Sequence, residues 1–331
     1  MIEFEPVYDL LTVGEAMVLI APPENGRIAY GSSVDLGTSG AEANVAITAA
    51  MLGLRTAWYS RVGAGPLGQL VLEGIASRGV DVSTVTIDNE NPTGVLVKSP
   101  HSDGSRVDYY RKGSAAAHID KSDLDALPAA QIVHTSGVAA ALSKSTQQFV
   151  HKLFLEFKRC TLKSFDVNYR EVLWSSRENA GATLLYLANQ ASIVFVGRDE
   201  AAILWGTSTA EDIREIMPHP PHLVVKDADV EAVEFTDTVT RCPTPPVVVL
   251  EPVGAGDAFA AGWLTAFLTG RSAHARLATG HRLAARALQS PTDQPQSIPE
   301  EDRVPVGAQI HRSPIGLTTG ARDHAITPIT S

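Results

Sequence analysis

Apolar positions along the chain keep two different rhythms. Short β-rich runs at Leu10–Val13, Thr56–Tyr59, Ile132–His134, Lys163–Phe165, Ile193–Val196 and Leu223–Lys226 predict strands. Between them lie longer segments with helical spacing: Ala41–Met51, Leu67–Ala76, Thr146–Phe157, Arg177–Ala188, Arg198–Leu204, Ala258–Thr269 and Ala275–Ala287. Strand and helix in alternation predict an α/β fold, a parallel sheet with helices on both faces. Ligands on such sheets sit at the carboxyl ends of the strands, where strand-to-helix loops meet.

Two stretches break the alternation. Residues 17–36 and 93–112 read as pairs of short strands joined by turns, one at Glu24-Asn25-Gly26 and one at Ser102-Asp103-Gly104. A small β-sheet standing off the main one fits them, as a substrate lid or as a plain surface hairpin. From Gly307 the periodicity fades and Gly, Pro, Ser and Thr accumulate, which predicts a flexible tail. One domain over residues 1–304 and a tail over 305–331 is therefore expected.

Composition narrows the class. The 331 residues are 44% hydrophobic and 19% charged, as in an ordinary globular enzyme. Cys160 and Cys242 stand alone, without CxxC spacing, which argues against a zinc or thioredoxin-type site. No run nears the ~18 apolar residues of a membrane span, and MIEFEPVYDL lacks the basic and apolar regions of a secretory signal, so a cytoplasmic protein without a membrane partner is expected. The formal net charge of −10 disfavours nucleic acid as a partner. Anionic substrates would have to be met locally, by placed cations and backbone N–H groups.

The segment Glu251-Pro252-Val253-Gly254-Ala255-Gly256-Asp257 carries the chemistry. An apolar stretch, Val247–Leu250, reads as a strand leading into the glycine turn, and a helix is expected to start near Asp257–Ala258. Helix N-termini present unpaired N–H groups and the positive end of the dipole. Gly254 and Gly256 lack the Cβ that would keep an anion off the backbone. Gly254, Ala255, Gly256 and Asp257 can therefore form an anion hole, with the Asp257 carboxylate beside it. An aspartate at a helix start also serves as a plain cap, but phosphoryl transfer needs this pairing of base and anion hole.

The run Gly254-Ala255-Gly256-Asp257-Ala258-Phe259-Ala260-Ala261-Gly262 resembles the C-terminal signature of the ribokinase-like (PfkB-type) carbohydrate kinases. Gly37-Thr38-Ser39-Gly40-Ala41-Glu42-Ala43-Asn44 and Arg61-Val62-Gly63 are similar to the N-terminal one. The likeness runs from about Leu10 to Pro299. It implies a Rossmann-like domain with a β-sheet lid, Asp257 as base toward a sugar hydroxyl, ATP and Mg²⁺ as cofactors, and a monovalent cation as a further candidate. Exposed lid edges in such folds pair between subunits, so a homo-oligomer through the lid is expected.

Four local features are similar to the 2-keto-3-deoxygluconate kinases within that family. They are Gly14-Glu15-Ala16-Met17-Val18, Asp108-Tyr109-Tyr110-Arg111-Lys112-Gly113-Ser114, Asp166-Val167-Asn168-Tyr169-Arg170 with Leu173-Trp174, and Pro252-Val253. A ketodeoxy sugar acid carries a carboxylate that suits the planar fork of arginine. The resemblance implies Tyr109, Arg111 and Arg170 as substrate-binding residues. Gly40, Asn44 and Asp293 are further candidates on the sugar side. His134 reads as a packed strand residue.

The nucleotide half departs from the family pattern. The resemblance assigns Gly197, Glu200, Lys226, Gly254, Gly256 and His281 to the cofactor, with Glu200 and Glu251 toward the metal. Yet Gly197 stands where Asn is usual in an Asn-x-x-Glu segment, and His281-Arg282 where a small residue and Asn line the adenine. Asp227-Ala228-Asp229-Val230-Glu231-Ala232 replaces a Gly-x-x-Gly turn and adds three acids. A kinase for fructose or another sugar acid, and a sugar sensor with a degraded ATP site, are the competing readings.

Overall fold

The structure, a computed structural model, describes residues 7–23, 28–101, 104–290, 292–305 and 310. The two expected lid turns fall at residues outside these, in whole or in part, as does nearly all of the expected tail.

The first half of the chain runs β1 (Tyr8–Val13), β2 (Met17–Ala21), β3 (Asp35–Ser39), α1 (Ala41–Met51), β4 (Thr56–Tyr59) and β5 (Arg61–Gly63). It continues through α2 (Pro66–Ala76), β6 (Thr86–Asp88), β7 (Val95–His101), β8 (Gly104–Tyr110), β9 (Ala130–Ser136), α3 (Gly137–Ala141) and α4 (Lys144–Glu156). Then come β10 (Cys160–Asp166), α5 (Arg177–Gln190), β11 (Ile193–Gly197), α6 (Arg198–Trp205) and α7 (Ala210–Ile216). The last elements are β12 (His222–Asp227), β13 (Glu231–Phe235), β14 (Val239–Pro243), α8 (Ala255–Leu268) and α9 (Ala273–Leu288).

The main sheet has the order β14-β13-β12-β11-β10-β9-β1-β4. From β4 to β12 all neighbours are parallel, and the β13–β14 hairpin closes one edge antiparallel. The parallel strands are buried on both faces. Ile193–Gly197 is buried at every position, as a strand sandwiched between helices must be. One face is covered by α1, α8 and α9 through Val45, Ala49, Trp263, Leu264 and Leu277. The other is covered by α4, α5, α6 and α7 through Phe149, Leu153, Leu184, Leu187, Ala201 and Ile213. A four-stranded sheet, β3-β2-β7-β8, stands apart as the lid.

Two expectations need correction. Val247–Leu250 forms no strand. The β13–β14 hairpin occupies the sheet edge, and this segment runs outside it with Val248 and Leu250 exposed. Helix α8 begins at Ala255 rather than near Asp257, with Gly254 as its N-cap at φ +84°. That left-handed conformation favours glycine, and a Cβ there would overlap the Asp293 carbonyl oxygen. Asp257 thus falls inside the first turn instead of capping it.

Phe149 anchors α4 in the core at 1% exposure. Its truncation in Phe149→Ala removes a large ring from a close-packed layer and is expected to cost about 3–5 kcal/mol. Urea unfolding followed by circular dichroism reads this as a lower midpoint.

Candidate active site

The parallel strands all end on one side, and their carboxyl ends make the floor of a cleft of about 640 Å³. Asp166 ends β10, Glu200 lies in the first turn of α6 after β11, and Lys226 lies near the end of β12. The lid supplies the roof through Met17, Leu96, Val107, Tyr109 and Arg111. The start of α8 and the loop at Asp293 form the end wall.

The first intrahelical bond of α8 runs from the Ala258 N–H to the Gly254 carbonyl, at 2.9 Å. The N–H groups of Ala255, Gly256 and Asp257 precede it and have no acceptor within the helix. Gly254, Gly256 and Asp257 face the cleft. Asp257 is 9% exposed, and its Oδ2 accepts from Asn44 Nδ2 at 2.9 Å. Burial pushes its carboxyl up to about 7. The Asn44 hydrogen bond opposes this, nearby Asp166 adds to it, and Arg170 and Lys226 pull the other way.

Asn44 is itself held. Gln294 Nε2 donates to its Oδ1 at 2.9 Å. Its amide thus orients Asp257, and Asn44 also lines the cleft where the sugar contact is expected. Gly40 places its backbone in the cleft wall, but a Cβ there would collide with the Glu15 carbonyl, so a close chain crossing also demands glycine.

Lys226 Nζ is 2.9 Å from Asp166 Oδ2 and lies close to Gly256. Burial works against its charge, but Asp166 and Glu200 outweigh this and raise its pKa. Glu200 is pushed up to about 7 by burial and by Asp166, while Lys226 opposes. Glu200 Oε2 accepts the Gly197 N–H at 3.1 Å, so Gly197 serves the start of α6 and is absent from the cleft wall.

On the sugar side, Arg111 Nε donates to Glu15 Oε2 at 2.6 Å, and its guanidinium lies 5.8 Å from the Tyr109 ring centroid. Glu15 also accepts from Ser114. Arg170 lines the cleft opposite, exposed, with a hydrogen bond to the Tyr169 carbonyl at 3.3 Å. Asp293 lies in the wall, buried, and Ser39 Oγ donates to it at 2.5 Å. Glu251 lies behind the wall, ion-paired with Lys98 of the lid.

His281 is not brought into the cleft. Its Nε2 is 3.1 Å from the Cys242 carbonyl oxygen, and its ring packs edge-on against Phe259. Arg282 beside it is bonded to Asp302, with Nε at 2.9 Å. His134 is a packed strand residue, bonded to Ser164 and held down to about 4 by burial. Two of the three acids of the 227–231 turn are offset, since Arg198 pairs with Asp227 at 2.7 Å and Arg241 pairs with Glu231. Reading from sequence missed Lys98, Glu15 and the clamping role of Gln294. Each is a polar residue whose partner lies far away along the chain.

A cleft between a helix-flanked parallel sheet and a β-sheet lid, with a carboxylate at a glycine-led helix start, defines a sugar kinase. The pfkB family carbohydrate kinase profile matches residues 8–301, and the chain belongs to that family. It is 33% identical over 296 residues to 2-dehydro-3-deoxygluconokinase of Bacillus subtilis, covering 86% of this chain and 91% of that one. It is 32% identical to 2-dehydro-3-deoxygluconokinase of Thermoproteus tenax, covering 80% and 84%. The crystal structure of a PfkB protein from Polaromonas sp. JS666 superposes with a TM-score of 0.77 at 33% identity, over 87% of this chain and 98% of that one. Among the described residues no helix is long and apolar enough to cross a membrane.

The raised Asp257 pKa has a sign for stability. A carboxyl raised in the folded state favours folding below its unfolded value, and that contribution is lost as pH rises through about 7. Asp257→Asn is therefore expected to melt a few degrees above the parent at pH 8, with the gap closing toward pH 5. Calorimetric scans at both pH values check it.

Proposed function

We propose that the protein transfers the γ-phosphoryl group of ATP to the 6-hydroxyl of 2-keto-3-deoxygluconate. The observation that carries this reading is the Asp257 carboxylate, buried in the cleft wall at the positive end of α8. Asp257 accepts the hydroxyl proton as the sugar oxygen bonds to phosphorus and the bond to ADP breaks. Charge gathering on the transferred group faces the N–H groups of residues 255–257 and the Lys226 ammonium. Arg170 and Arg111 on the sugar side suit a carboxylate, and both curated relatives described above are named for this sugar acid.

Among the described residues no group of three or more His, Cys, Asp or Glu is placed to hold a metal. Asp166 and Glu200, at the nucleotide end, fit a Mg²⁺ that arrives with the triphosphate and keeps several waters. Such an ion would neutralise phosphate charge. Pairing of Asp227 with Arg198 and of Glu231 with Arg241 supports an intact ATP site over a degraded one.

Residues 1–304 form the kinase domain in this reading, and 305–331 a tail. The lid is also a self-association surface: β3 and β8 are its open edges, and Leu36 on β3 is exposed. Light scattering is expected to return the mass of at least a dimer.

Asp257→Asn is expected to lower kcat by about 10²–10⁴-fold. Because the carboxylate must be ionised, activity falls as pH drops through about 7. A coupled ADP assay across pH 5.5–9 is expected to show that acid limb. Arg170→Ala is expected to raise KM for 2-keto-3-deoxygluconate by roughly 10–100-fold, the scale of a lost charge-assisted pair, with any fructose turnover unchanged. Equal losses on both sugars would refute the carboxylate contact.

A further inference from the structure

Lys98 belongs to lid strand β7, where a lysine ordinarily reaches water, yet its side chain is only 9% exposed. Its ammonium is ion-paired with Glu251 and lies 3.6 Å from Asp293 Oδ1. Both carboxylates are as buried as the lysine, at 6% and 4% exposure. A buried ionic cluster of this kind is weak evidence of added stability, because taking the charges out of water offsets most of their attraction. Its position is more informative than its energy.

Both acidic residues reach the turn that opens α8, Glu251 through its carboxylate and Asp293 through its main chain. Glu251 Oε1 accepts the Val253 N–H at 3.1 Å, next to Gly254. The Asp293 carbonyl fills the space a Cβ on Gly254 would need. Asp293 also accepts from Ser39, the last residue of lid strand β3. Lys98 therefore ties two lid strands to both flanks of the anion hole.

We propose that Lys98 is a positioning residue, a latch that makes the anion hole charge-complete only when the lid is down. Lifting β7 withdraws the ammonium from Glu251 and Asp293 and frees both flanks of Gly254 to shift. Phosphoryl transfer is thereby confined to the closed cleft, from which water is excluded. The inference rests on residues 254–257 acting as the anion hole.

The test uses the full chain with Mg-ATP and 2-keto-3-deoxygluconate, and compares Lys98→Met, Lys98→Arg and the charge-neutral triple Lys98→Met/Glu251→Gln/Asp293→Asn. The triple guards against a single variant that fails to fold around two acids deprived of their lysine. Lys98→Met and the triple are expected to lower kcat by about 10–100-fold, the scale that misplacing a site by an ångström costs. They are also expected to raise the share of ATP hydrolysed without phosphorylating sugar, and to speed amide exchange at 35–39, 95–98 and 253–257. Lys98→Arg is expected to restore coupling. Folded variants with parental exchange rates would overturn the latch, whatever Asp257→Asn does. Faster exchange with transfer and coupling intact would overturn the positioning role and leave the assignment of 254–257 to be judged by Asp257→Asn.

Discussion

The site depends on keeping one carboxylate usable inside protein. Burial alone drives Asp257 toward its neutral form, and a neutral acid cannot take a proton. Three groups work against that: the Asn44 amide, Arg170 and Lys226. The balance leaves the group near neutrality, where a base is most effective. Gln294 holds the other end of the Asn44 amide, so a chain of three side chains, drawn from α1, α8 and the loop after α9, fixes one oxygen.

The same economy of charge runs through the cleft. A sugar kinase with a net charge of −10 must bring an anionic nucleotide to its cleft against its own field. It does so by giving its cleft acids local cations. Glu15 has Arg111, Asp166 has Lys226, and Glu251 and Asp293 share Lys98. Arg170, whose described bond is to a backbone carbonyl, is the guanidinium with most capacity left for a substrate.

Much of this was legible in the chain. The parallel strands are continuous apolar runs and the helices are periodic, so both were readable, and the Gly-Ala-Gly-Asp run marked the helix start that faces the cleft. Hairpin β13–β14 was not read, because Glu231–Phe235 mixes acids with apolar residues in a way that suits a turn as well as an edge strand. Val247–Leu250 misled for the opposite reason: it has strand composition, but its Leu250 N–H bonds the Leu288 carbonyl at the end of α9 rather than a neighbouring strand. Lys98 was invisible, since a strand lysine reads as solvent-facing until tertiary folding brings it to acids more than 150 residues away. His281 occupies a motif position, yet packing against Phe259 decides where its ring goes.

The donors at the start of α8 are main-chain amides. Amides hold their protons across the whole range in which proteins stay folded, so this end of the cleft offers the same partial positive charge in acid and in alkali. Whatever acidity does to turnover must then be written in the side-chain acids alone, and the cradle that receives the phosphate is indifferent to it.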